Sequence, residues 1–459
     1  MPRTAVYALL LLLGSALWSF FPPLVSLTTG WGMGGAGGGN NFDFSSWWVQ
    51  AALLLFMASG WFLLWGHRLL GKASQDEVRL AAGFSILFLY LGYNLQRFEA
   101  ELLLMSHRNA FPFEGAVWVY LAAGMAYLVF LLRPPRQSAW ILGVTLAFLL
   151  ALVPFSVRSF PFENGFSDIF LDIEAAGRSL LHGRSPYELQ LSLGPERRCN
   201  YLPGLWLSFL PAVAVNLDPR FLAALYGAAF AFVVWRGMGA PHRALATWFL
   251  VLFLLNPWAL LRQDTYIPAY LLGWGFFFLA LRRGRDSWAA WCYGLGLSMH
   301  PFHWALLPVW LAWLFRRGGR GEAGKRLLQA LGVAAVLILP FIAWDSRGFL
   351  EGAVFHFMEK KVAVISHFGL VVWLGAWPGW LAVLALVFLG VGAWGAWRGA
   401  ATLESLFRWL SLSLGVALLS SYHVEHYYYF VPLALLLFHE ITLREGEGIV
   451  DPKMKKLRT

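Results

Sequence analysis

The sequence predicts an all-α, polytopic helical membrane protein, and three observations predict it. Of 459 residues, 59% are hydrophobic and 13% charged, about half the charged share of an ordinary soluble domain. The apolar residues fall in runs long enough to cross a bilayer as helix, and at ~20 residues per crossing they allow about 12–14 transmembrane helices. Arginine and lysine cluster in the short stretches between those runs, as cytoplasmic loops do. This composition excludes a Rossmann enzyme and a nucleic-acid-binding module, and the net charge of +10 reads as a topology signal. With only Cys199 and Cys292, a disulfide framework is excluded too.

In chain order, apolar runs fall near 4–21, 47–66, 80–95, 115–132, 139–156, 244–261, 267–281, 287–300, 302–315, 327–343, 404–420 and 427–441. The first run follows Arg3 but leads into Phe21-Pro22-Pro23 without a small-residue cleavage site, so it is read as a retained helix. The basic clusters are Arg68 and Lys72, Arg133 and Arg136, Arg236 and Arg243, Arg282 to Arg285, Arg316 to Arg326, Arg398, and the tail Lys453 to Arg458. Placing all of them in the cytoplasm gives a nearly consistent alternation, with both chain ends on that side. Two stretches, 203–236 and 366–397, each look like two apolar pieces where the charge pattern permits an odd number of crossings. One piece of each is expected to be a half-helix or in-plane helix covered by protein. The resulting organisation is 1–135 as additional N-terminal transmembrane helices, 136–441 as a transmembrane module with a large extracytoplasmic loop at 157–202, and 442–459 as a cytoplasmic tail.

This orientation gathers most of the unusual polar residues on the outer face. The segment 167–203 carries a short amphipathic helix, with Ile169, Ile173, Ala176, Leu180 and Leu181 on one side and Asp168, Asp172 and Arg178 elsewhere. It begins at Ser167 and breaks at Gly183 and Pro186. Asp168 and Asp172 are one turn apart and can face one cavity. A surface helix with solvated carboxylates accounts for the same residues.

An acidic residue after a span, a helix with paired alanines, Gly-x-x-Pro-Tyr and then Tyr-x-Pro opening the next apolar run are Asp168, Ala175, Ala176, Gly183, Pro186, Tyr187, Tyr201 and Pro203. This order resembles the first outer loop of GT-C glycosyltransferases, most of all the bacterial polyprenol-phosphate-mannose-dependent alpha-mannosyltransferases. The stretch 260–273 resembles that family's Gly-Gln-x-Asn turn, with Arg262 in place of Gly and Thr265 in place of Asn. At 281–308 a basic turn and small-residue helix lead to His300 and His303, where the family commonly has a lysine, and 420–432 resembles its late aromatic and histidine turn. The likeness covers roughly residues 139–440. It implies a GT-C-like fold and an inverting transfer of mannose or a similar hexose from a polyprenyl-monophosphate carrier to an acceptor hydroxyl on a lipid or glycan. The expected location is the extracytoplasmic face of the plasma (inner) membrane.

That chemistry matches the outer-face inventory. One carboxylate suffices as general base for the acceptor hydroxyl, with Asp168 first and Asp172 second. The departing phosphate needs positive charge and hydrogen-bond donors, for which Arg262, Gln263, His300, His303, Lys360, Lys361, His423 and His426 are the candidates. Lys360 and Lys361 stand out because an outer loop is normally depleted in lysine. No cofactor is expected, and no metal: the three-residue spacing of His300 with His303 and of His423 with His426 is not a diagnostic ligand pattern. The expected partners are the polyprenyl-phosphate-sugar donor, a lipid or glycan acceptor and the membrane, with no nucleic acid. Two alternatives share the features, a transporter or flippase for a lipid-linked or small polar substrate and a diphosphate-lipid-dependent ligase.

Overall fold

The computed structural model describes residues 169–188, 198–238, 266–355, 378–419 and 430–445, with scattered positions between 139 and 157 and at 243, 247 and 250. The chain divides into two compact units, 1–145 with 247–257 and 146–246 with 258–459. Every element below belongs to the second unit, and among the described residues all elements are helical.

Helix α1, Ile169–Leu181, is the amphipathic helix of the large loop. It ends where Gly183 turns left-handed at φ 70°, and the amides of Gly183 and Arg184 close back onto the carbonyls of Leu180 and Ser179. Helix α2, Pro203–Ala214, and helix α3, Pro219–Gly237, form one apolar pair bent by 120°. This is the two-piece arrangement expected for 203–236. The bend is made by Asn216 at φ 53° and by Asp218, whose carboxylate caps α3 by accepting the Arg220 amide at 2.9 Å.

Helix α4, Ile267–Arg282, ends at Gly284 with φ 66°, and helix α5, Asp286–Met299, starts directly after. Helix α6, Pro301–Trp344, holds 44 residues; at 1.5 Å per residue it is about twice the thickness of a bilayer core. Gly319, at φ 76° and ψ −176°, breaks it into limbs 301–318 and 320–344. The first limb runs antiparallel to α5: Arg317 pairs with Asp286 at 2.8 Å, and Tyr293 stacks on Trp310 at 4.2 Å. The second runs parallel to α5, with Arg326 bonded to Ser287 and Gly294 set against Ala330 and Val333. An up-down-up trio results, and the two apolar runs 302–315 and 327–343 occupy separate limbs. By length and composition Pro301–Trp344 can cross a membrane.

After the four-residue helix α7, Ser346–Phe349, and a wide turn at Leu350–Phe355, helices α8, Pro378–Arg398, α9, Leu403–Leu419, and α10, Phe430–Glu445, complete the bundle. Trp313 donates to the Thr402 carbonyl at 3.0 Å, and Phe278 stacks on Phe438 at 4.4 Å. The α4–α5 turn, the Gly319 turn and the α8–α9 turn therefore share one end of the bundle. The opposite end carries the α5–α6 turn, the C-terminus of α6 and the start of α2.

Glycines set the closest helix approaches. A Cβ on Gly296 would overlap the His303 ring, and that ring is already stacked on Trp274 at 4.3 Å and edge-on to Tyr293 at 4.8 Å. Gly296→Ala is expected to cost about 1–3 kcal/mol by overpacking, read as a lowered melting temperature in detergent. Gly273→Ala, with nothing within 4 Å of its Cβ, is the matched control and is expected to be neutral or slightly stabilising.

Candidate functional site

Asp172 is 1% exposed, so it is not the solvated carboxylate of a surface helix. The cause is the way α1 packs on α2. Gly177 sits 3.2 Å from the Val213 methyls, and Phe170 packs edge-on to Phe209 at 5.3 Å. This contact buries Ile169, Phe170, Asp172, Ile173, Ala176 and Gly177 and leaves Leu181 51% exposed. The buried face is thus rotated from the aliphatic stripe expected from the sequence, and Asp172 lies on it. Glu174 and Arg178, which pair at 2.6 Å, take the outer side.

The 182–188 loop is held to the C-terminal end of α6. Ser185 donates to Asp345 at 2.8 Å, and the other Asp345 carboxylate oxygen caps α7 by accepting the Gly348 amide at 2.9 Å. Tyr187 is fully buried, with its ring edge-on to Phe349 at 5.0 Å. Its hydroxyl donates to the Tyr201 carbonyl at 2.8 Å and accepts from the Trp206 indole at 3.2 Å. Burial pushes this phenol well above its ordinary range, so it stays protonated and can donate. Arg198 closes the loop from the other side, donating to the Tyr187 carbonyl at 2.9 Å and pairing with Glu351 at 3.1 Å. Gly352 lets the two segments touch, because a Cβ there would overlap the Cys199 carbonyl.

Segment 198–201 runs from the neighbourhood of Asp172 to that of His300. The buried Cys199 thiol is pushed up mainly by burial and further by the charge of the nearby Asp172, so it stays a thiol. Two residues on, the Tyr201 ring meets Tyr266 edge-on at 5.3 Å, and the Tyr266 hydroxyl lies 2.9 Å from Nε2 of His300. The Phe302 amide, which can only donate, reaches the His300 Nδ1 at 3.3 Å. The Nε2 therefore carries the proton and donates to the Tyr266 hydroxyl.

His300 is 6% exposed, and burial pushes its pKa down to about 3. It is neutral at pH 7 and acts here as a hydrogen-bonding group, without the positive charge a histidinium would bring to a phosphate. An unfolded histidine titrates near ~6.5, so between that value and about 3 the unfolded chain binds the extra proton. The contribution of His300 is complete above the unfolded pKa and is lost as pH falls towards the folded one. Melting temperature is expected to fall between pH 7 and pH 4, less steeply in His300→Gln.

His303 is 1% exposed and packed among Trp274, Tyr270 and Tyr293. His300 and His303 thus lie in one aromatic cluster, His300 towards Tyr266 and His303 deeper, against Trp274. Among the described residues no three His, Cys, Asp or Glu side chains come together as metal ligands would. Asp168, Arg262, Gln263, Lys360, Lys361, His423 and His426 lie outside the described residues.

Sequence reasoning did not single out Ser185, Arg198, Tyr266 or Asp345. Asp345 had a local signal, an Asp opening Asp-Ser-Arg-Gly just after a long apolar run, which is an N-cap pattern. The others had none, because their partners are distant in the chain. No family model matches the chain, and no curated protein or solved structure is significantly similar to it.

Proposed function

We propose that the protein is a polytopic membrane glycosyltransferase of GT-C type. It transfers mannose or a similar hexose from a polyprenyl-monophosphate carrier to an acceptor hydroxyl on the extracytoplasmic face of the plasma membrane. The observation that carries this reading is the burial of Asp172, 1% exposed, where α1 and the 198–201 segment come together at the bundle end opposite the basic turns. Burying a carboxylate is costly, and buried titratable groups at a junction of segments cluster at functional sites. Supporting the membrane setting, Leu328, Val336, Leu339, Leu386 and Phe232 are large apolar side chains each more than half exposed on the outside of the bundle, a surface that lipid would cover.

In this reading the acceptor oxygen attacks the anomeric carbon as the bond from that carbon to the carrier's phosphate oxygen breaks. Asp168 or Asp172 takes the acceptor proton, and the phosphate leaves as a stable anion that needs no general acid. Inversion turns a beta-linked donor into an alpha product. Arg262, Lys360, Lys361, His423 and His426 are proposed for the phosphate, and His300 with Tyr266 for neutral hydrogen bonds beside it.

The test is transfer of radiolabelled mannose from polyprenyl-phosphate-mannose to membrane lipid extract by the purified full-length protein. A labelled lipid or glycan product is expected. A second reading, movement of a lipid-linked or small polar substrate, draws on the broken α2–α3 pair, since transporters use interrupted helices. No transfer, with the lipid still bound or moved, would favour it; transfer only from a diphosphate-linked donor would favour a ligase.

A further inference from the structure

We propose that the basic end of the bundle is a binding surface for the headgroups of anionic phospholipids. The inference rests on the membrane reading above and concerns the face opposite the candidate site. The α4–α5 turn and the Gly319 turn are fastened together by the Asp286–Arg317 pair at 2.8 Å and by Arg326 on Ser287. Segments 282–286 and 316–326 together hold eight arginines and lysines and two acids, Asp286 and Glu322.

Both acids are already engaged, Asp286 by Arg317 and Glu322 by Arg326. Arg283, Arg285, Arg316, Arg320 and Lys325 are exposed, and among the described residues no carboxylate pairs with them. Five uncompensated cations on two joined turns are an anion-binding surface in search of a counter-charge.

What surrounds the cations selects a lipid. Trp288 is 55% and Trp291 45% exposed on the first two turns of α5, their rings 4.9 Å apart, within ~8 Å of the charged turn along the helix axis. Leu328 is 73% exposed just beyond Arg326. On the neighbouring α8, Arg398 lies 5.4 Å from the Trp397 ring, itself 50% exposed. Indole at the level of the headgroups with acyl-facing leucine beside it is the interfacial arrangement. Guanidinium groups add charge-assisted bonds to phosphate oxygens. A soluble anion would have no use for the tryptophans.

The experiment takes the full-length protein in detergent and titrates it with phosphatidylglycerol or with phosphatidylcholine of the same acyl chains. Bound lipids are counted by native mass spectrometry, and the melting temperature is followed in parallel. Wild type is expected to retain phosphatidylglycerol with at least ~10-fold preference and to melt higher with it, since each surface cation contributes on the order of 5-fold. The preference should shrink as salt is raised from 0.05 to 0.5 M, values chosen to span roughly 14 to 4 Å of screening length. The variant Arg283→Gln/Arg285→Gln/Arg316→Gln/Arg320→Gln should lose it, with Arg347→Gln at the opposite end keeping it. Equal retention of both lipids by wild type, an unchanged preference in the quadruple variant, or equal stabilisation by inorganic phosphate would each overturn the proposal. A chain released from membranes by carbonate washing would overturn the membrane reading itself; one that stays but ignores headgroup charge overturns only this inference.

Discussion

Asp172→Asn is expected to lower hexosyl transfer by ~10²- to 10⁴-fold, the range for loss of a general base, with little change in melting temperature. The amide keeps the shape of the carboxylate, so the packing of α1 on α2 through Gly177 and Val213 is retained. The companion variant Asp168→Asn separates the two carboxylates. If Asp168→Asn abolishes transfer and Asp172→Asn costs only a few-fold, Asp168 is the base and Asp172 a positioning residue. The reverse outcome assigns the proton to Asp172. Initial rates at saturating donor and acceptor are the measurement, because a group acting only in the transition state lowers kcat and kcat/KM together. Full activity in both variants would remove the carboxylate mechanism.

Asp218→Ala is expected to destabilise the protein by about 3–5 kcal/mol, the cost of breaking a buried pair from one side. Arg220 is 1% exposed and lies at the bend between α2 and α3. Asp218 Oδ1 accepts both its amide and its Nε at 2.9 Å, and Oδ2 accepts Nη2 at 2.6 Å. Alanine removes the helix cap and the counter-charge at once and leaves the guanidinium buried without that partner. Thermal unfolding in detergent should show the loss, with Asp218→Asn intermediate because it keeps a capping oxygen. Replacing the pair together, Asp218→Ala with Arg220→Met, should recover part of the stability, since the buried charge goes with its partner. Transfer activity should fall with Asp218→Ala as well. The bend sets the position of α2, and Tyr201, two residues before its first residue, joins the candidate cluster through Tyr266.

Among the described residues, which helices form was largely legible, because helix formation answers to local pattern; the apolar runs between 4 and 132 lie outside the described residues. Apolar runs at 267–281 and 287–300 correspond to helices 267–282 and 286–299, separated by the basic, glycine-containing turn at 282–285. The runs at 302–315 and 327–343 lie in the two limbs that the left-handed Gly319 divides, and the intervening cations marked that break in the sequence. The break after α1 was legible at Gly183, the residue best suited to a left-handed backbone.

The candidate site was legible only in part. Asp172 was singled out by its spacing, but its burial depends on which face of α1 meets Val213 and Phe209, more than thirty positions away in the chain. His300 and His303 look alike as a three-residue repeat, yet one hydrogen-bonds Tyr266 and the other is stacked on Trp274. No local pattern distinguishes them, because Tyr266 and Trp274 lie more than 25 positions away in the chain.

Hydrophobic periodicity, glycine and charge within a few residues account for the helical class and the turns of the described residues. Packing between distant segments puts Asp172 inside, keeps His300 a neutral donor, and lets Ser185, Arg198, Asp345 and Glu351 clamp the large loop. Burial and hydrogen-bond partnership are relations between distant segments, and only packing sets them.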